Sequence, residues 1–519
     1  MGVDAVHTQY AAFSNRWKKC RDGCAGEEAV KSGRESYLPR LEAQQVPEYD
    51  RYLMRALYVN ASGKTKDSYA GLIFRKDVEV TAPALLKELV DSFEDDFTRQ
   101  HNSLWCAAKD TVRDILEVGR GGWLVDVSAN NTTPKPHGSA VYYKAEDIVN
   151  WQTEDREGSD TLVRVILREA FSQPTKDEFT SETAYRYRVL RLTDAGLYTQ
   201  QVYLPVKGKN GETDWVGGEI ITPSRQGDAL LEIPFTFVGP NNALPDVDRP
   251  PLEDLVDVNL SHYRTMADLE NARHWVGVPT PVFCGFDFAP GSTVQIGSSG
   301  GISAKDSTAK ATFLEFTGQG LGALTSASKE KSDYMAALGA RLLKDQIENE
   351  TAEAARIRST GESATLSSIS GTVSEALTLV LRWLVWWAGA DDVSGIEVVL
   401  NNQFVDSGLD AMTLTALISA RQSGLISEET FLWNLKKGNM LDPSGTIELE
   451  MERIASDPGM GGKIIELEDK HSPPQVGPGA AGGKAGKGSG PTGSAGGADL
   501  GTTGESQGAQ GASQVVQVV

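Results

Sequence analysis

From Leu366 to Trp387 the chain repeats apolar side chains at steps of three and four: Leu366, Ile369, Val373, Leu377, Val380, Leu384 and Trp387. That spacing lays one stripe along a helix, and a stripe of that length needs a long partner surface. The stretch Val373–Ala390, which also holds Trp383 and Trp386, is the most apolar helix candidate in the chain. Glu375 and Arg382 interrupt it, and it is marginally short for a bilayer, which takes about 20 apolar residues. It is therefore expected to be a buried helix. A second stripe, Leu252, Leu255, Val256, Leu260, Tyr263, Met266, Ala267 and Leu269, opens behind Pro250–Pro251 and ends near Trp275, before Pro279 and Pro281. Helical periodicity returns from about Ser326 to about Leu343. Three long helices are thus expected, with short strands and Gly/Ser loops over residues 276–324 between the first two.

The flanking regions read differently. Residues 1–120 are mainly helical in pattern: Pro83 suits the first turn of a helix through Leu85, Leu86, Leu89 and Phe93, and a second helix is expected over Ser103–Val118, stopped by Gly119, Gly121 and Gly122. Residues 123–240 carry strand-type runs at Trp123–Val127, Thr161–Glu169, Tyr185–Leu192, Gly196–Leu204 and Leu231–Val238, with a hairpin candidate at Asn210–Gly211. After a short strand at Ile396–Leu400 come small helices over Ala411–Gln422, Ser427–Gly438 and Ile447–Ala455. The class is α+β. From His471 to Val519 there are 14 glycines and no aromatic residue, too little apolar surface to offset ordering, so this tail is expected to be disordered. Its last residues include Val515, Val516, Val518 and Val519, a small sticky terminus.

The formal net charge is −21. A protein that grips the phosphate backbone presents a basic surface to it, so the acidity argues against tight DNA binding. It leaves room for a wall along which a duplex slides. Cys20, Cys24, Cys106 and Cys284 show no second pair at metal-site spacing and suit a reducing cytoplasm, and Met1–Arg16 has no apolar signal core. Ser62-Gly63-Lys64-Thr65 resembles the end of a phosphate-binding loop, but the glycine required five residues before Gly63 is Tyr58, and the flanks look helical rather than strand-like. Gly318-Gln319-Gly320-Leu321-Gly322 is glycine-rich without a βαβ setting and is expected to be a flexible connection. His262 and His274 share a helix at about 18 Å separation, too far to share a metal. His7, His101, His137 and His471 form no compact ligand set with them. No catalytic constellation, cofactor site or metal site is expected.

Several strings resemble the portal proteins of tailed double-stranded DNA phages. Leu116-Glu117-Val118-Gly119-Arg120-Gly121-Gly122-Trp123-Leu124-Val125-Asp126 is similar to a helix-to-strand passage in one branch of that family, and Tyr143-Lys144-Ala145-Glu146-Asp147-Ile148-Val149-Asn150-Trp151 to the segment that follows it. Ile233-Pro234-Phe235, Pro250-Pro251-Leu252-Glu253-Asp254-Leu255 and Asn259-Leu260-Ser261-His262-Tyr263-Arg264 resemble the approach to the family's stem. Pro279-Thr280-Pro281-Val282 resembles the start of its clip, and Thr351-Ala352-Glu353-Ala354 the start of the helix after its tunnel loop. The order is kept over most of residues 15–455. The glycine-rich tail matches no feature of the family.

The resemblance implies a portal fold. An α/β wing would occupy residues 1–249, a first stem helix 250–275, a clip 276–324, a second stem helix 325–343, a tunnel loop 344–350, a long helix returning to the wing 351–400, and a helical crown 401–470. It also implies a ring of about twelve copies at one vertex of the capsid in the virion, assembled in the bacterial host cytoplasm. That ring would pass double-stranded DNA during packaging and ejection and contact terminase, capsid or scaffold protein and a head-tail adaptor, with no membrane partner and no enzymatic activity of its own. The alternatives are another ring-forming neck or tail connector and, further off, a packaging ATPase or nuclease, which would need a complete phosphate loop or a metal-binding carboxylate cluster. The resemblance places Lys344, Asp345, Gln346, Glu348, Asn349 and Glu350 in the tunnel loop, facing DNA. The residues agree with such a place: after Leu338, Leu342 and Leu343 the apolar stripe breaks into polar side chains, and such a break faces solvent. There Lys344 would touch phosphate while Asp345, Glu348 and Glu350 repel it, at ranges of about 8 Å or less.

Overall fold

The computed structural model describes the chain except residues 1, 41, 99, 128–137, 157, 175–178, 208–212, 226, 279, 289–292, 297–303, 315–317, 340–351, 403, 405–410, 439, 442–445, 457–513 and 518–519. Helices α1 (Thr8–Ala25), α2 (Glu27–Ser32), α3 (Val46–Arg55) and α4 (Ala61–Ile73) are followed by strand β1 (Glu79–Thr81), α5 (Lys87–Asp95) and α6 (Leu104–Val118). A β region comes next: β2 (Gly121–Val127), β3 (Gly138–Lys144), β4 (Ile148–Arg156), β5 (Ser159–Pro174), β6 (Ser181–Leu192), β7 (Tyr198–Lys207), β8 (Thr213–Ile221), β9 (Ser224–Arg225), β10 (Asp228–Ala229) and β11 (Phe235–Val238). Then come α7 (Glu253–Gly277), β12 (Thr280–Cys284), β13 (Thr293–Ile296), β14 (Lys310–Leu314), α8 (Gln319–Ala337), α9 (Ala352–Trp387), β15 (Glu397–Val399), α10 (Ala411–Gln422), α11 (Glu428–Lys437), α12 (Ile447–Ser456) and β16 (Gln514–Gln517). The class is α+β, as expected. The chain divides into two compact units, one of Met1–Pro279 with Glu315–Val405 and one of Thr280–Leu314 with Asp406–Val519.

The first unit is organised around α9. All seven residues of its predicted stripe are buried, as are Ala376, Leu381, Trp383 and Val385. The helix is long and apolar enough to cross a membrane by length and composition, but most of its apolar side chains are spent inside this core. Its small polar residues work too: the Ser374 and Thr378 hydroxyls accept the Leu400 and Val398 N–H groups at 2.9 Å, docking β15, which pairs antiparallel with β1. Helix α6 packs beside α9. Ser103 caps its start by accepting the Cys106 N–H, and Gly119 ends it with φ +72°, where a Cβ would stand 3.0 Å from the Arg249 carbonyl oxygen. Both bounds follow from the sequence.

Strands β11, β2 and β3 form one antiparallel sheet, and β4 to β8 a second, meandering one. The β7–β8 hairpin brackets Asn210–Gly211, which lie outside the described residues, with Lys207 opposite Thr213. Strand β7 starts later than Gly196, which sits at φ +76° in the turn after β6. Strand β11 starts at Phe235 rather than Leu231, because Pro234 has no N–H for the ladder; its carbonyl accepts from Val125 instead.

The structure corrects four helix bounds. The helix behind Pro83 starts at Lys87: the Pro83 carbonyl closes only a turn with the Leu86 N–H, and Leu85 is 98 % exposed. The glycine-rich segment expected to be a loop is mostly helical, since α8 starts at Gln319 behind Gly318 (φ +66°); Leu321 and Leu324 line a groove with Trp275 and Val276 of α7, so tertiary packing overrides weak helix propensity. At its other end α8 stops at Ala337, short of Leu343. Gly339 has φ +114°, and a Cβ there would collide with the Tyr69 hydroxyl at 2.1 Å. Helix α7 also runs two residues past Trp275.

The second unit holds the β12–β14 hairpin, Thr280 opposite Leu314, and helices α10 to α12. These helices lie close to their predicted spans, and α11 is capped by the Ser427 hydroxyl on the Thr430 N–H. The tail expected to be disordered contributes β16; the rest of it lies outside the described residues.

Candidate functional site

The α7–α8 pair carries the functional expectation, and its base is built from charge. Glu253 opens α7 behind Pro250–Pro251, in the first turn, where the helix dipole favours a carboxylate. It accepts from Arg16 (Nε to Oε1, 2.8 Å, with a second bond from Nη2), Lys19 (3.2 Å) and Arg249 (2.9 Å). These cations, Arg16 foremost, hold its carboxyl down at about 2. Helix α1 is thereby pinned to the start of α7.

On the other side of α1, Arg21 is held by Asp114 and by both oxygens of Glu146 (2.8 and 3.0 Å), while Lys66 meets Glu117 at 2.6 Å and the Tyr142 hydroxyl donates to Asp114 at 2.9 Å. Burial opposes the charge on Arg21, but Glu146 and Asp114 outweigh it and raise its pKa. Lower down α7, the Tyr52 hydroxyl donates to Asp268 at 2.6 Å and Arg55 meets His274 at 3.0 Å.

Helix α8 lies antiparallel to α7. Ser328 meets His262 Nε2 at 3.0 Å, and Lys331 reaches the Ser261 carbonyl (3.1 Å) and the Thr265 hydroxyl (2.6 Å). Burial, with Lys331 nearby, keeps the His262 imidazole below its ordinary pKa. Both histidines of α7 are thus packing residues, in keeping with their spacing. On α8 the covered positions, Leu321, Leu324, Ala327, Ser328, Lys331, Ser332, Met335 and Ala336, recur at three and four, and the remaining positions are exposed, Tyr334 among them. A groove of about 540 Å³ opens where Trp275 and Val276 face Gly318–Leu321.

Ser62–Thr65 forms the first turns of α4, where no phosphate can sit. Asn60 caps the Gly63 N–H at 2.8 Å, Asn259 of α7 donates to the Ser62 hydroxyl at 3.1 Å, and a Cβ on Gly63 would meet the Cys24 carbonyl at 2.4 Å. Lys64 points to solvent. The four cysteines are free; burial pushes the Cys24 thiol up to about 12. Among the described residues no three His, Cys, Asp or Glu gather as a metal group. Lys344, Asp345, Gln346, Glu348, Asn349 and Glu350 lie outside the described residues, between Gly339 and the start of α9.

Arg120 is a residue whose role the sequence did not single out. It is 1 % exposed. Its guanidinium lies 4.1 Å from the Trp151 ring centroid and 4.5 Å from that of Phe237, and donates to the Pro245 and Asp246 carbonyls at 2.8 and 3.2 Å. It ties the strand region to the loop leading into α7. Burial pushes its pKa down to about 9. Its place between two glycines in the Leu116–Asp126 string is the only signal the sequence carries.

Residues 251–388 match a family described as a domain of unknown function, DUF4055. No curated protein matches the chain. Among solved structures, the chain is similar at 10 % identity to one from the neck of an empty GTA particle with C6 symmetry, over 77 % of this chain and 97 % of that one, TM-score 0.38. It is similar at 9 % identity to one from the virion of a native gene transfer agent particle (77 % and 96 %, TM-score 0.35). A third, from the native neck with C12 symmetry, gives 10 % identity over 78 % and 98 %, TM-score 0.36.

Proposed function

We propose that this chain is a subunit of a phage portal-type ring, a conduit for double-stranded DNA and a docking platform for terminase, capsid or scaffold protein and a tail adaptor. One observation carries the reading: α7 is followed in the chain by the small β-rich segment 280–314, and α8 then runs antiparallel along α7, the order the sequence resemblance implies. Its base is clamped by Arg16, Lys19 and Arg249 on Glu253, which fixes the start of α7 against α1. The exposed face of α8 and the exposed Trp275 supply surface for a neighbouring copy. The net charge of −21 suits a wall that surrounds a duplex without gripping it. In this reading the chain hydrolyses nothing, and residues 344–350 line the narrowest point of the channel.

Imaging of the purified protein by negative stain tests this directly. Rings with a central hole are expected; a particle that stays monomeric in light scattering at every salt and protein concentration, and also when mixed with scaffold or capsid protein, would sink the reading. In assembled particles, Asp345→Lys, Glu348→Lys and Glu350→Lys together should slow DNA passage while rings still form. Packaging and retention at the normal rate would remove the constriction from this loop.

A further inference from the structure

Strand β13 has one strand neighbour among the described residues, and it comes from the far end of the chain. β16 pairs with it antiparallel, Thr293 opposite Gln517, Val294 opposite Val516, Gln295 opposite Val515 and Ile296 opposite Gln514. The other strands of the same segment, β12 and β14, pair with each other in a separate sheet. Without β16, the described partners of the β13 backbone are gone, although Val294 is only 7 % exposed, and an unpaired strand edge is a ready template for another strand.

We propose that Gln514–Gln517 is a complementing strand of the 280–314 segment, supplied by the same chain and needed to protect the β13 backbone. The chemistry of the two partners fits. Gln-Val-Val-Gln is β-branched at its centre and Thr-Val-Gln-Ile at three of its edges with the ladder, so both favour the pleated conformation. Neither strand carries a charge, and no charged residue follows Glu505, so no like-charge pair opposes the register. Main-chain ladder bonds supply the attraction, which is the logic of strand addition. The proposal is independent of whether the chain forms a ring.

Hydrogen exchange on the full chain tests it, read at peptides spanning Thr293–Ile296. Deletion of residues 512–519 should speed their exchange at least tenfold, with peptides over Thr280–Cys284 unchanged as a control for folding. Successive N–H groups of a strand point to opposite edges, so Val515→Pro with Val516→Pro removes a ladder donor whichever edge is paired and should give the same acceleration. In a Cys106→Ser, Cys284→Ser background, Val294→Cys with Val516→Cys should form a disulfide that migrates as a single chain on a non-reducing denaturing gel. Equal exchange in all three proteins would overturn the proposal, and a disulfide joining two chains would overturn the assignment to the chain's own tail.

Discussion

The two units of the chain are built on opposite terms. In the first, α9 buries its apolar stripe, α7 buries Leu252, Leu255, Val256, Leu260, Tyr263, Ala267 and Leu269, and charged side chains close the gaps between helices. In the second, the buried apolar side chains among the described residues are Val294 and Leu432, while Met412 (79 % exposed), Leu425, Trp433 (51 %), Met440 and Leu449 face outward. Hydrophobic stabilisation scales with the apolar area removed from water, so among the described residues most of it comes from the first unit.

That contrast is sharpest at Trp387, 1 % exposed at the end of α9. Trp387→Ala should cost about 3–5 kcal/mol through lost burial and the cavity left behind, read as a lower midpoint in urea. A loss under 1 kcal/mol would mean that the core is not where stability resides. The charge clamp should rank next. Glu253→Gln should cost about 1.5–3 kcal/mol, the range for hydrogen bonds to charged groups. Because the Glu253 pKa is depressed to about 2 from 4.5, its contribution is fully present above about pH 4.5 and is lost as pH falls toward 2. The wild-type and Glu253→Gln stabilities should therefore converge over that window; a constant gap down to pH 2 would contradict the clamp.

The second unit should respond in the reverse sense. Met412→Ser, Leu425→Ser and Trp433→Ser should each leave the stability of the isolated chain within about 0.5 kcal/mol, yet together weaken ring formation in sedimentation on the proposed reading. If assembly is untouched, these side chains are not its contacts. Smallest of all is Lys64→Ala, expected to change stability by no more than about 0.5 kcal/mol, since Lys64 is exposed on α4. ATP turnover by the purified protein that is lost in that variant would show that the turn does bind phosphate and would break the structural account of Ser62–Thr65.

The sequence by itself determined the elements whose information is local. A three-and-four stripe specifies a buried helix face wherever it occurs, which is why the stripes of α7 and α9 were legible; Ser103 and Gly119 bound α6 because capping chemistry acts within a turn. The net charge argues against a phosphate-gripping surface, and the end of an apolar stripe marks residues 344–350 as a polar break in the sequence, outside the described residues. Tertiary structure alone decided the rest. Gln319–Gly322 is helical because Leu321 and Leu324 have Trp275 and Val276 to pack against, and α8 ends at Ala337, two residues before Gly339, whose positive φ and missing side chain make room for the Tyr69 hydroxyl. Glu253 meets Arg16 and Lys19 across more than two hundred residues of chain, and Arg120 finds Trp151, Phe237 and the Pro245 carbonyl. No pattern of spacing records such meetings, because the free energy of a buried charge or a close packing contact depends on which distant groups surround it.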